Sequence, residues 1–226
     1  MDGDKDACNE GVQYLVIKHP DIEKVFISDG SEVTDNGLQS LLSAPCMKSV
    51  GVAGRFSGET ISPRSNTAQY LQELKLESYD LKDSGLFNIL EGCTPALKSL
   101  QVSNACLTGE GLKSLQGKFQ QLEKLHLHLL NKLTYEGVTD LIAISGNCLK
   151  QLGVIRCYIT GNALITAVQG KLDNLERLEL EDLPELTNQD YVNILKNCGN
   201  RLTQIIIRSS LPLFFYLAER LIEHNT

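Results

Sequence analysis

Residues 71–86 read LQELKLESYDLKDSGL, sixteen positions holding five leucines at Leu71, Leu74, Leu76, Leu81 and Leu86. The spacing suits neither a single helix nor a single strand. Leu74 and Leu76 alternate with polar residues, as on a strand with one buried face, whereas LKDSGL from Leu81 opens a segment with a different period. Such a mixture acquires meaning if it recurs.

It recurs along the whole chain. The frame L-x-x-L-x-L, with Ile, Val or Met allowed, appears as IEKVFI from Ile22, MKSVGV from Met47, LQELKL from Leu71, LKSLQV from Leu97, LEKLHL from Leu122, LKQLGV from Leu149, LERLEL from Leu175 and LTQIII from Leu202. Successive starts lie 25, 24, 26, 25, 27, 26 and 27 residues apart. A second signature follows six of the frames: VTDNGL at Val33, LKDSGL at Leu81, LTGEGL at Leu107, LTYEGV at Leu133, ITGNAL at Ile159 and LTNQDYV at Leu186. Thr34, Thr108, Thr134, Thr160 and Thr187 stand where a helix N-cap belongs, each hydroxyl placed to accept from an early backbone N–H. Apolar residues then return at helical spacing, as in Leu86, Ile89 and Leu90, Leu112, Leu115 and Phe119, or Val138, Leu141 and Ile142. Each unit is therefore predicted to be a short strand, a turn and a capped amphipathic helix.

One such unit is too small to bury its own apolar face, so neighbours must stack. Strands pack about 4.8 Å apart and helices about 10 Å apart, and the mismatch bends the stack towards its strands. The expected fold class is α/β: a solenoid of about eight repeats over residues 1–226, with a curved parallel sheet on the concave side and helices on the convex side.

These frames and the L-T-x-x-G-L step resemble the leucine-rich repeat proteins, in particular the cysteine-containing subclass found in F-box/leucine-rich-repeat proteins and in antagonist-of-mitotic-exit proteins. The cysteines fit the likeness. Cys46 and Cys148 lie one residue before a frame, Cys93 and Cys198 lie four before, and Cys157 falls eight after Leu149. The resemblance implies a protein-binding role; in F-box relatives the repeats hold a substrate for ubiquitin transfer.

Three segments depart from the pattern. After MKSVGV the chain runs through AGRFSGETISPRSNTAQY, with Pro63 in a Gly, Ser and Asn-rich stretch, so residues 53–70 are expected to form an irregular convex loop in place of a helix. Residues 1–21 contain ACNEGVQYLV, the helical half of a repeat whose strand is missing, expected either to act as an N-terminal cap or to mark a longer parent chain. Residues 211–226 end in LPLFFYLAERLIEHNT, with Pro212 near a helix start and Phe214, Phe215, Leu217, Leu221 and Ile222 available to cover the end of the core as a capping helix.

Composition narrows the function. The chain has 226 residues and a net charge of -7, and its Lys and Arg residues are singles interleaved with acids. This speaks against a phosphate-binding surface and for protein partners, with a slight preference for basic ones. No apolar run approaches the roughly 20 residues of a membrane span. The acidic start MDGDKDACNE is unlike a secretory leader, and seven scattered cysteines suit a reducing compartment, so a cytoplasmic or nuclear location is expected.

The sequence is poor in catalytic and metal motifs. His126 and His128 alternate on one strand and should share a face about 6 to 7 Å apart. Their expected neighbours, Gln101, Ser103, Gly153 and Ile155, add neither carboxylate nor thiol, so no metal and no cofactor is assigned. The cysteines form no C-x-x-C pair and read as packing residues, and no phosphate loop or nucleophile elbow appears. An enzyme is not expected.

That leaves the outward positions of the strands as the candidate partner-binding surface: Lys24, Phe26, Glu73, Lys75, Gln101, Lys124, His126, His128, Ile155, Arg177 and Glu179. Phe26, Ile155 and Ile206 place apolar groups where water should be, and such anchors among charges are what interface centres contain. The histidines could make recognition sensitive to pH near 6.5. The leading expectation is an intracellular protein–protein interaction module, with the substrate-recognition part of a ubiquitin-ligase complex as its specific form. With about ten residues ahead of the first helix signal, a ligase role is expected to come through a longer product or a separate adaptor. The alternatives are a ribonuclease-inhibitor-like regulator of a partner enzyme and the ligand-sensing part of an innate immune receptor.

Overall fold

Eight parallel strands form one open sheet in which sequence order is also spatial order. They are β1 (Lys24–Ile27), β2 (Ser49–Ala53), β3 (Glu73–Glu77), β4 (Ser99–Ser103), β5 (Lys124–His128), β6 (Gln151–Ile155), β7 (Arg177–Glu181) and β8 (Gln204–Arg208). The computed structural model describes residues 3–28, 32–62, 68, 70–93, 96–145, 147–169, 173–198 and 200–209. Every strand begins at the third position of its frame, and the register never slips, so Leu74 lies beside Leu100, Leu100 beside Leu125 and Leu125 beside Leu152. The first, fourth and sixth frame positions thus build continuous apolar rows, buried throughout from β2 to β7. Each such leucine contributes roughly 1.5 to 3 kcal/mol by leaving water. At β8, the last strand among the described residues, Ile205 is 49% exposed.

A forked hydrogen bond marks each junction between repeats. The carbonyl of Glu23 accepts from both Lys48 N–H and Ser49 N–H, that of Lys48 from Gln72 and Glu73, and the same fork recurs up to Glu176, which serves Thr203 and Gln204. Beyond the strands the chain swings off the sheet through a residue of positive φ: Asn104 (51°), Leu129 (54°), Arg156 (51°) and Asp182 (48°). Each of these N–H groups still reaches the last carbonyl of the next strand, as Leu129 N–H does to Ile155 O at 3.0 Å. Asn and Asp take this conformation readily, whereas Leu129 and Arg156 carry about 1 to 2 kcal/mol of strain each that the ladder offsets.

The helices are α1 (Gly3–Lys18), α2 (Asp35–Leu42), α3 (Asp83–Gly92), α4 (Tyr135–Ala143), α5 (Gly161–Val168) and α6 (Asn188–Asn197). α1 packs on α2, and α4, α5 and α6 stack side by side. Among the described residues two repeats lack an α-helix, and in one of them the expected unit needs correcting. Between β2 and β3 there is no helix among the described residues, in line with the irregular loop expected there; Pro63 lies outside the described residues, as does the proposed capping segment 211–226. Between β4 and β5 the anticipated helix is a single 3-10 turn, Leu112–Leu115, because Gly109, Gly111 and Gly117 all adopt positive φ and break the helical run. A fully buried phenylalanine fills the core in both places, Phe56 in one and Phe119 in the other.

Those two loops are anchored from both sides. Asp35, the first residue of α2, accepts from Gly58 N–H (2.8 Å), Thr60 N–H (3.0 Å) and Thr60 Oγ1 (2.8 Å) in the following repeat. Asp83, the first residue of α3, does the same for Thr108 N–H, Thr108 Oγ1 and Gly109 N–H at 2.6 to 3.1 Å. From the next repeat onward, Gly85 and Gly137 let the helix approach the loop closely.

The threonine caps hold in three of five cases. Thr134 accepts from Gly137 N–H, Thr160 from Ala163 N–H, and Thr187 forms a capping box with Asp190. Thr34 is displaced from that role by Asn9 of α1, whose Oδ1 takes the N–H groups of Thr34 and Gly37. Thr108 is committed to Asp83 instead.

Candidate recognition surface on the sheet

Alternation along each strand, combined with unslipped register, sets the outward residues in three rows. The middle row runs Phe26, Gly51, Lys75, Gln101, His126, Gly153, Glu179 and Ile206. On one side lies Lys24, Ser49, Glu73, Ser99, Lys124, Gln151 and Arg177, and on the other Ala53, Glu77, Ser103, His128, Ile155 and Glu181. All eleven residues singled out in the sequence thus share one face.

Within the middle row two rings lie across glycines. A Cβ on Gly51 would stand 2.5 Å from Phe26 Cδ1, and one on Gly153 would stand 3.0 Å from His126 Nδ1. Beyond each glycine comes a charge of fitting sign. The Lys75 ammonium sits 5.7 Å from the centroid of the Phe26 ring, a cation–π distance, while the carboxylate of Glu179 acts on His126. His126 is nevertheless held below the ordinary histidine value: partial burial disfavours the cation, and Arg177, Lys75 and Lys124 add to this against the opposing pull of Glu179.

The exposed anchor is Phe26, 56% accessible. Beside it a slot of about 140 Å³ is floored by Gly51 and Ala53 and walled by Lys75, Glu77, Gln101 and Ser103. The sequence signal for this slot is a pair of small residues, Gly51 and Ala53, in one frame next to the aromatic Phe26 of the frame before.

Four of the outward residues are less freely displayed than alternation alone implies. Ile155 and Ile206 are half-buried rather than displayed, Ile155 between His128 and Glu181 on the neighbouring strands. Arg177 and Glu179 are engaged with each other at 3.3 Å, with Arg177 Nη1 donating to Gln204 Oε1 at 3.1 Å, and the Glu179 side chain is only 13% exposed. Glu181 pairs with Arg208 at 2.7 Å. The β7–β8 end of the face is therefore closed by its own ion pairs, and the open part is the β1–β5 half.

His126 and His128 have the neighbours expected, Gln101 and Gly153 for the first, Ser103 and Ile155 for the second. Among the described residues no group of three or more His, Cys, Asp or Glu comes together as a metal site would require. The thiols of Cys93, Cys157 and Cys198 point inward. Burial pushes them up to about 12, 11 and 11, and each lies against a backbone carbonyl, that of Ile89, Ile155 and Ile194 respectively. They are neutral packing groups at neutral pH.

No known family profile matches the chain, and no curated protein matches it as a relative. Among the described residues no helix is long and apolar enough to cross a membrane.

Proposed function

We propose that this chain is a non-catalytic protein-recognition module of the cytoplasm or nucleus that binds its partner on the β1–β5 half of the sheet face. The observation that carries the reading is Phe26. A large aromatic ring lies more than half exposed on the sheet, fixed across Gly51 and beside a slot sized for a side chain. Ser28, Lys75 and Glu77 stand exposed around it, as the rim of an interface does. The repeat resemblance gives the specific form of the proposal: the module holds a substrate for a ubiquitin ligase whose core is bound by other parts of the assembly.

The test is affinity purification of the tagged chain, read by mass spectrometry, beside a folded variant carrying Phe26→Ala, His126→Ala and His128→Ala. Ligase subunits and a stable partner that appear with the wild type and are lost from the variant support both levels of the proposal. A partner lost from the variant with no ligase subunit beside it retains recognition and removes the ligase. Equal recovery with both baits moves recognition off this face.

A further inference from the structure

The charges on the β1–β5 half are not balanced in the way their number suggests. Four carboxylates reach this half of the face and its leading edge, and each already has a partner inside the protein. Glu23 pairs with Lys48 at 2.5 Å, Glu73 accepts from Ser49 Oγ at 2.8 Å, Glu77 accepts from Asn104 Nδ2 at 2.5 Å, and Glu123 pairs with Lys150 at 2.9 Å. Lys24, Lys75, Lys98 and Lys124 are all exposed, and among the described residues none makes an ion pair. Lys24, Lys98 and Lys124 share with the Glu23–Lys48 pair, Glu73 and Glu123 the walls of a hollow of about 400 Å³ along the leading ends of the strands, and Lys75 walls the slot beside Phe26. Glu73 and Glu77 keep their charge, being bonded to neutral groups, so this half carries Lys24, Lys48, Lys75, Lys98, Lys124 and Lys150 against Glu23, Glu73, Glu77 and Glu123: an excess of cations beside the exposed aromatic in a chain of net charge -7.

Resting on the recognition reading above, we propose that this half-face binds an extended acidic segment of a partner protein, its carboxylates meeting these four lysines and one apolar side chain resting in the Phe26 slot. Geometry sets the spacing. Lys24, Lys75 and Lys124 stand on β1, β3 and β5, and alternate strands are about 10 Å apart. An extended chain in the polyproline II conformation has three residues per turn and rises about 3.1 Å per residue, so carboxylates at every third residue fall on one edge, about 9 Å apart, and match the lysines. Spaced carboxylates fit better than a nucleic acid, because Glu73 lies in the row between Lys24 and Lys124 and Lys75 stands between Glu73 and Glu77 on β3, an arrangement that repels an unbroken run of phosphates. The net charge argues at long range for a basic partner; at contact, the unmatched lysines reverse that preference.

The experiment is selection of random 16-residue peptides displayed on phage against the intact chain at low ionic strength. Selected peptides are expected to be rich in Asp and Glu at intervals of three, with one apolar residue. As synthetic peptides they are expected to lose at least tenfold in affinity for Lys24→Glu/Lys75→Glu/Lys124→Glu, about threefold for the corresponding Gln variant, and severalfold at 0.5 M salt. Unchanged thermal melts of both variants establish that the fold is intact. Acidic peptides whose binding survives the charge reversal overturn the proposal. So does retention of a labelled oligonucleotide by the same lysines against competition from the acidic peptides. Neutral or basic peptides that depend on Phe26 overturn the acidic class but leave the recognition face standing. Peptides indifferent to Phe26→Ala, or no selected peptides at all, overturn both.

Discussion

The carbonyl oxygen of Thr108 occupies the space a side chain on Gly137 would need: a Cβ built there falls 1.8 Å from it. Gly85 stands in the same relation to Ser57, at 1.7 Å. Both contacts are with backbone, which cannot swing aside, so Gly137→Ala and Gly85→Ala are each expected to cost about 1 to 3 kcal/mol or more. Gly11, inside α1, has nothing within 4 Å of its Cβ position, and Gly11→Ala is expected to be neutral or to gain up to about 1 kcal/mol. Urea unfolding of the three variants checks the contrast; equal losses would contradict the packing described.

Asp35 ties two repeats together through a charge. Burial alone would push its carboxyl up, but hydrogen bonds from Gly58, Thr60 and Ser57 outweigh this and hold it below the usual 3.8. A carboxyl lowered in the folded state binds a proton less readily there than in the unfolded chain. Its contribution to stability is therefore complete above about pH 3.8 and is lost as pH falls through the lowered native value. Asp35→Asn is expected to flatten that acid limb, and Asp35→Ala to cost about 1 to 3 kcal/mol at pH 7 by orphaning the loop N–H groups. Melting temperatures measured from pH 2 to 7 decide it.

Adjacent residues on β5 separate core from surface. Leu125 is fully buried in the shared apolar row, and Leu125→Ala is expected to cost about 2 to 5 kcal/mol and to loosen the flanking repeats. His126→Ala leaves that row intact and is expected to change stability little at pH 7. Hydrogen exchange across β4 to β6 reports both, and protection lost equally in the two variants contradicts the assignment of faces.

The inward thiols give a chemical readout of the same core. With values near 12 and 11, Cys93 and Cys157 are thiolates in well under roughly one molecule in a thousand at pH 7.5. Native alkylation with iodoacetamide is expected to spare both until the chain unfolds, with the half-buried Cys46 and Cys148 modified earlier. Early labelling of Cys157 would mean that β6 does not close over it.

Much of this architecture is legible in the frames alone. Period-two alternation fixes which residues of β1 to β8 face outward, and the constant spacing fixes which of them become neighbours, so the rows through Phe26, Lys75 and His126 follow directly. The departures depend on partners a full repeat away. Thr108 looks like a cap until Asp83, 25 residues earlier, claims its hydroxyl, and the glycines at 109, 111 and 117 outweigh the apolar spacing of Leu112 and Leu115. Asp35 and Asp83 were a readable sign, since each opens a helix immediately before a repeat that has lost its own α-helix. At the site, Arg177 and Glu179 looked displayed because alternation reports direction and not pairing. The Phe26 ring across Gly51 was beyond reach for a similar reason, because it joins two frames through side-chain shape.

The most direct measurement of the central claim is site-specific photocrosslinking in cells. A benzophenone amino acid is placed at Ser28, exposed at the mouth of the Phe26 slot, or at Glu136, exposed on α4 across the repeat from the sheet. The account predicts a discrete protein adduct from position 28, absent when Phe26→Ala is added, and none from position 136. Adducts from position 136 alone would place recognition on the helical side and contradict it.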